Sequence, residues 1–408
     1  MKVQHHIRNL SECFPYSERW VKVPNLIRES LVGGTRMHVA VMVLNYNGLR
    51  WLPNCLSSIA NTDYQNLDIY LVDNGSTDES VDYVQRSFPR VKIIRHGRNL
   101  GYAAGYNRAI EKVETDYVLL MNTDTQVLNP SWVKCLVDAA TADSGVAAVA
   151  SKLVSMEDHS LLDSVGGMGI PFWKGFVDIG REELDQGQYD CGSFEPFSFC
   201  GAAALIRRDI FMKVGGFDGR FFLFTEEPEF SWRLRLLGYR VAFASEARVA
   251  HYLSGTSGDK TVTIRRLYYC HRHLLATIFK NCGSSLPWAL SSYFLLSLIM
   301  VAGFLIRARE PRKAIVVAQA ILWNILNFRY TYVWRLRVQA SRVTGEEDIL
   351  ASIYLPIKRC EPAEYVHLKR TLASASTSIM SGLKEAFLGM VTWINTRARY
   401  QRVHHRRR

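Results

Sequence analysis

The sequence has 408 residues, 48% of them apolar and 22% charged. That composition excludes a mainly disordered chain, a collagen-like chain and a polytopic membrane protein, and the length fits two to three domains. Net charge is +12, and residues 329–408 hold 15 basic against 6 acidic side chains, so nine of the twelve surplus charges sit at the C-terminal end. The eight cysteines, at 13, 55, 135, 191, 200, 270, 282 and 360, form no C-x-x-C pair, which signals neither a zinc knuckle nor a redox motif. Their scatter suits buried thiols in a reducing compartment. The first 20 residues lack an apolar core of the kind a secretory signal needs.

Residues 1–36 are weakly periodic and read as a peripheral N-terminal extension. From His38 short apolar runs begin: 38–45, 67–73, 91–94, 117–121 and 146–150. Runs of this length and composition predict strands buried on both faces. Helical patterns lie between them, over 49–60, 78–88, 101–114 and 130–142. Alternation at this spacing predicts βαβ units on a mostly parallel sheet flanked by helices, an α/β fold. Beyond residue 150 the regularity weakens. Residues 166–169 and 175–180 read as loop, 198–207 as a strand leading into a short helix, and 215–219 as a turn. Residues 225–237 read as a helix, 241–243 as a strand, and His251 as the centre of a loop.

Two uncharged apolar stretches follow, 286–306 and 314–328. The first is long enough to span a bilayer. A lone span would send the basic tail to the far side, against the positive-inside tendency. A helical hairpin or an in-plane pair keeps both basic flanks on the cytoplasmic side, and membrane association is the favoured reading over two buried helices of a bundle. Residues 383–402 mix apolar and basic residues and suit either an anionic lipid surface or a solvated helix. Four segments result: 1–36, 37–280, 281–330 and a basic helical tail, 331–408.

Ligands of open α/β sheets bind beyond the carboxyl ends of the strands. Three expected strands end there in polar residues: Asn45-Tyr46-Asn47-Gly48, Asp73-Asn74-Gly75-Ser76-Thr77-Asp78 and Asn122-Thr123-Asp124. Asp73 can accept hydrogen bonds from a base or ribose, or belong to a capped βα turn. Asp124 can hold a divalent cation that bridges a diphosphate, or cap a helix. Asn99-Leu100-Gly101-Tyr102-Ala103-Ala104-Gly105-Tyr106-Asn107 places small residues at a helix start, where backbone amides favour anions, without the dinucleotide-binding glycine order. Glu226-Glu227-Pro228-Glu229 crowds carboxylates at another helix start, either as an ordinary acidic N-terminus or as a general base.

In this order the motifs resemble the family 2 inverting glycosyltransferases of the GT-A fold, from about His38 to Lys280, with a layout like the rhamnosyl-transferring branch. Gly201-Ala202-Ala203-Ala204, Val214–Asp218, Leu237–Arg240 and His251 before Gly255-Thr256-Ser257 extend the likeness. The resemblance implies that Asn45, Asn47, Asp73, Asn99, Gly101, Asn107, Asn122 and Asp124 bind a nucleotide-diphosphate sugar. It makes Asp124 the metal-binding acid for magnesium or manganese, with His251 an extra ligand. Glu227, or its neighbour Glu226, becomes the catalytic base. Trp232 and Arg233 are candidate acceptor contacts, Arg265 and Arg266 can meet a diphosphate-bearing acceptor, and Trp173 can stack on a sugar or pack in a core. Two departures stand out: the D-x-D element keeps one acid, and Glu227-Pro228-Glu229 replaces the usual Asp-x-Asp. The implied activity is single-displacement sugar transfer to a glycan or polyprenyl-diphosphate-linked acceptor at the cytoplasmic face of the cell membrane. Nucleic acid is a poor partner for a basic tail with so few interleaved aromatics. Two other readings are a nucleotidyltransferase, which would show a basic Gly-rich loop after the first strand, and a catalytically silent glycan-binding or nucleotide-sugar-binding scaffold.

Overall fold

The computed structural model describes residues 37–170, 175–191, 194–252 and 264–354. The N-terminal extension, Trp173, Gly255-Thr256-Ser257 and the 383–402 segment lie outside the described residues. The expected strands form as β1 (Val39–Asn45), β2 (Leu67–Asp73), β3 (Lys92–Arg95) and β4 (Tyr117–Asn122), then β5 (Thr125–Val127) and β6 (Val146–Ser155). Helices α1 (Leu52–Ala60), α2 (Ser80–Ser87), α3 (Gly101–Ile110) and α4 (Trp132–Thr141) connect them. Strand β7 (Leu162–Ser164) follows. Residues 167–170 and 175–178, expected as loop, form an antiparallel pair, β8 (Gly167–Ile170) with β9 (Gly175–Asp178). Next come β10 (Ala203–Arg207), α5 (Arg208–Val214), α6 (Glu226–Leu236) and β11 (Arg240–His251). Strand β11 is far longer than expected and carries His251 on its last residue rather than in a loop.

The main sheet runs β3-β2-β1-β4-β10-β6-β11-β5, with β7 on β6. Strands β3, β2, β1 and β4 are parallel neighbours, β10 is antiparallel to β4 and β6, and β11 is parallel to β6. Alternation along each strand splits the core in two. Val39, Val41 and Val43 face one layer with Leu52, Cys55, Leu56 and Ile59 of α1. Ala40 and Met42 face the other with Tyr102, Ala103, Tyr106 and Ala109 of α3. The order reverses between β1 and β4, where sheets of this kind open a ligand crevice. Register puts the polar ends side by side: Asn45 pairs with Asp73, and Leu44 with Asn122.

A helical layer covers one end of this unit: α7 (Ile264–Asn281), α8 (Leu286–Ala302) continuing through a π-helical turn to Arg307, α9 (Pro311–Leu326), α10 (Phe328–Ala340) and α11 (Glu346–Tyr354). The second apolar stretch is helical from Pro311, where proline is tolerated in the first turn, and breaks at Asn327. A buried ion cluster ties the layer down. Lys280 of α7 meets Asp218 at 2.7 Å and Glu229 at 2.9 Å, Arg233 meets Glu229 at 2.7 Å, and the Tyr330 hydroxyl donates to Asp218 at 2.7 Å.

Candidate active site

Polar side chains at the strand ends first brace the loops they sit in. Asn45 is buried; its amide donates to the Ser76 and Ser80 hydroxyls, and its carbonyl oxygen accepts from the Gly48 amide. Asn47, in a left-handed conformation that Asn tolerates, accepts from the Thr77 amide at 2.7 Å. Asp73 accepts from the Gly75 and Ser76 amides in the turn after β2. Asn99 accepts from the Gly101 and Asn74 amides, and Asn107 clamps the Phe217 backbone through both of its amide atoms. Gly101 has φ of +79°, and a Cβ there would overlap the Phe222 carbonyl. These contacts brace the loops at the strand ends, and none of Asn45, Asn47, Asp73, Asn99, Gly101 and Asn107 lines the cavity described next.

The chemistry collects in a neighbouring cleft of about 430 Å³. Asn122, Asp124, His251, Glu226 and Glu227 line it, so carboxylates distant in sequence share one cavity. Tyr102, Asp178, Arg181, Cys200 and Arg266 line it too. Asp73 is not among the lining residues. Trp232 and Arg233 do not reach it either. Trp232 is 1% exposed, in a core with Phe197, Leu236 and Leu275, and Arg233 is 2% exposed and bonded to Glu229 and to the Val214 and Gly216 carbonyls. The expectation of acceptor contacts from these two residues is therefore corrected: both are spent on packing.

An unusual backbone presents the two glutamates. Phe224 and Thr225 both have positive φ, +71° and +74°, immediately before α6. Consecutive left-handed non-glycine residues hold strain that the surroundings must fix. Here the His273 Nδ1–H donates to the Phe224 carbonyl at 2.7 Å, while the ring stacks on Phe221 at 4.1 Å. Burial, first, pulls the His273 imidazole down to about 3, so it stays neutral. Glu227 accepts from the Gly201 amide at 3.2 Å. A Cβ at Gly201 would overlap the Glu227 carboxylate and the Tyr102 hydroxyl, so this contact needs glycine.

Both glutamates are raised above the ordinary carboxylate range. For Glu226 burial is the main cause and the Glu227 charge adds to it; Glu226 Oε2 has no hydrogen-bond partner among the described residues. For Glu227 burial is again the main cause, opposed by backbone amides and assisted by Asp178. Backbone amides oppose the shift at both glutamates; Glu227 is pushed up to about 7, and its charge holds Glu226 higher still.

Across the cleft, His251 approaches Asp124 through Nε2 at 3.7 Å, and its Nδ1 lies 2.7 Å from Asp163. Burial pulls the imidazole down, but Asp163, Asp124 and Asp178 more than offset this, and the net shift is upward. Arg181 pairs with Asp178 and lies 3.7 Å from Asp163. Three carboxylates thus face one guanidinium and one imidazole. Asp124 and His251 are the two residues here that could contribute to a cation site with substrate oxygens, and no group of three or more His, Cys, Asp or Glu is placed to hold a metal by itself among the described residues. Asp178 lies in the 175–180 segment that reads as loop, and Asp163 and Arg181 lie just outside the segments the sequence reading resolves. The available signal was an acid interrupting short apolar runs, at Leu161-Leu162-Asp163 and Phe176-Val177-Asp178.

Residues 40–215 match the family model described as glycosyl transferase family 2. Those residues form a family 2 glycosyltransferase domain, and the chain is a glycosyltransferase. The catalytic-base candidates lie just past the matched residues of this domain. An N-acetylglucosaminyl-diphospho-decaprenol L-rhamnosyltransferase of Mycobacterium tuberculosis is 27% identical over 308 residues, covering 68% of this chain and 97% of that protein. An O-antigen biosynthesis protein of Myxococcus xanthus is 28% identical over 49% of this chain and 16% of its own length. Among solved structures, the Pyrobaculum calidifontis mannosyltransferase with GDP-Man and Mn2+ covers 83% of this chain and 95% of its own at 18% identity and TM-score 0.44. GalNAc-T7 with UDP, GalNAc and Mn2+ covers 60% of this chain and 48% of its own at 16% identity and TM-score 0.48.

Proposed function

We propose that the enzyme transfers a sugar, with inversion, from a nucleotide-diphosphate donor to a polyprenyl-diphosphate-linked glycan during cell-surface polysaccharide assembly, and that rhamnose is the sugar. The observation that carries this reading is the single cleft that both Asp124 and Glu227 line. The donor diphosphate lies toward Asp124, and the acceptor hydroxyl lies against Glu227. Glu227 takes the acceptor proton as the oxygen attacks the anomeric carbon, and the diphosphate leaves from the opposite face. The Gly201 amide holds Glu227 in place, and the Tyr102 hydroxyl donates to the Gly201 carbonyl. Asp124 and His251 would hold magnesium or manganese, which when bound supplies positive charge for the departing diphosphate. Asp163 fixes the ring orientation of His251. Strand-end residues Asn45, Asn47 and Asp73, with Asn99 before α3 and Gly101 and Asn107 within it, act on the donor through the loops they brace. In a transfer assay, Glu227→Gln will lower turnover by at least roughly a hundredfold, the usual scale of general-base loss; near-normal transfer would remove Glu227 as the base.

The same reading places residues 37–280 as the catalytic unit, 281–330 as its membrane-contacting pair and 331–408 as a basic tail, at the cytoplasmic face. Support comes from Leu286–Arg307, a 22-residue segment holding an 18-residue stretch of mean hydropathy 2.2 that is only 22% buried, and from exposed Leu298, Ile306, Ile325 and Leu326. Charged Arg307, Arg309, Glu310, Arg312 and Lys313 join α8 to α9. With α9 packed on α7 of the catalytic unit, that charged link favours helices lying in the membrane plane over a spanning hairpin. Washing membranes with carbonate will release the enzyme; retention would instead mean a span.

A further inference from the structure

A second cavity, a groove of about 630 Å³, opens between α7 and α9. Its walls are mostly apolar, Ile264, Tyr268, Val316, Leu322 and Leu326, and its one charged lining residue is Arg265. Arg265 precedes Arg266, which lines the catalytic cleft, so two consecutive side chains border the two cavities. The Arg265 guanidinium stacks 5.3 Å from the Phe222 ring centroid and forms no ion pair among the described residues. Trp323 closes the groove wall and is itself fixed by the Arg272 guanidinium, 3.6 Å from its ring centroid. Away from the cleft the groove runs out onto exposed Leu322, Leu326 and Ile325, the apolar face already assigned to lipid.

A cationic mouth at an active site, an apolar trough behind it and an apolar surface at its far end match one ligand chemistry: a diphosphate joined to a long isoprenoid tail. We propose that the α7–α9 groove seats the first isoprene units of the lipid acceptor, with Arg265 and Arg266 at its diphosphate. This rests on the polyprenyl-diphosphate acceptor reading above and deepens it. Arg fits here because its guanidinium takes two phosphate oxygens at once. Groove seating also sets how far the reacting sugar extends from the tail, which fixes the acceptor hydroxyl against Glu227.

The test uses the full chain in detergent micelles with three probes: farnesyl diphosphate, farnesol and inorganic diphosphate. Calorimetry should show farnesyl diphosphate bound at least about tenfold more tightly than either half alone. Leu322→Glu and Gln319→Trp, both at exposed positions, should weaken farnesyl diphosphate about tenfold, the loss of burial of roughly two methylenes. They should shift inorganic diphosphate less than about twofold. Arg265→Glu should weaken both diphosphate probes and spare farnesol. Farnesyl diphosphate bound no better than inorganic diphosphate, or bound equally well by Leu322→Glu, would overturn the groove. A transfer assay separates the two layers of inference. Transfer to a lipid-diphosphate acceptor with KM untouched by Leu322→Glu removes the groove alone, whereas transfer only to soluble glycans removes the acceptor reading and the groove with it.

Discussion

Two buried ionic clusters in this molecule differ in charge balance and in what they face. In the first, Asp218 and Glu229 face Lys280 and Arg233, two charges against two, with the Tyr330 hydroxyl filling a remaining acceptor site. In the second, Asp124, Asp163 and Asp178 face Arg181 and His251, and the acids outnumber the permanent cation three to one. The balanced cluster is sealed in protein and joins the catalytic unit to its helical layer. The unbalanced one opens into the cleft. Burial of acids therefore does not mark a catalytic centre by itself; an uncompensated charge facing a cavity does.

That contrast can be broken from either side. The largest expected effect is on the balanced cluster: Lys280→Met should cost about 3–5 kcal/mol of folding stability by stranding Asp218 and Glu229, read as a lowered denaturation midpoint. An unshifted midpoint would show that the cluster does not staple the helices. A smaller effect belongs to the glutamates beside the unbalanced cluster. Burial raises Glu227, and a general base works only when deprotonated. Activity should therefore rise with pH through a value above the ordinary glutamate range of about 4.3 and be lost below it. An acid limb of kcat/KM at the ordinary glutamate position would contradict the raised carboxyl.

Much of the catalytic unit was legible because its strands are apolar on both faces and end in polar residues at one edge. The runs place the polar ends at one edge, and the sheet sets Asn45 beside Asp73 and Leu44 beside Asn122. The cleft was half legible. Glu226 and Glu227 carry a helix-start signature, but Trp232 and Arg233 were assigned to the same face by nearness in sequence. At about 100° per residue they lie roughly 140° and 240° around α6 from Glu227, and so point into protein. Asp163 and Asp178 were illegible because they belong to strands of three and four residues, too short for periodicity to register. The Phe224–Thr225 strain was hidden as well, since neither residue type announces positive φ and the histidine that holds the turn comes from α7.

The division of labour across the cleft is tested most directly by titrating the nucleotide-sugar donor into Asp124→Ala and Glu227→Gln by calorimetry, with manganese present. The expected result is donor binding lost in Asp124→Ala and kept within about threefold of wild type in Glu227→Gln, whose turnover is nonetheless gone. Equal loss of donor binding in both variants, or unimpaired binding in Asp124→Ala, would contradict it.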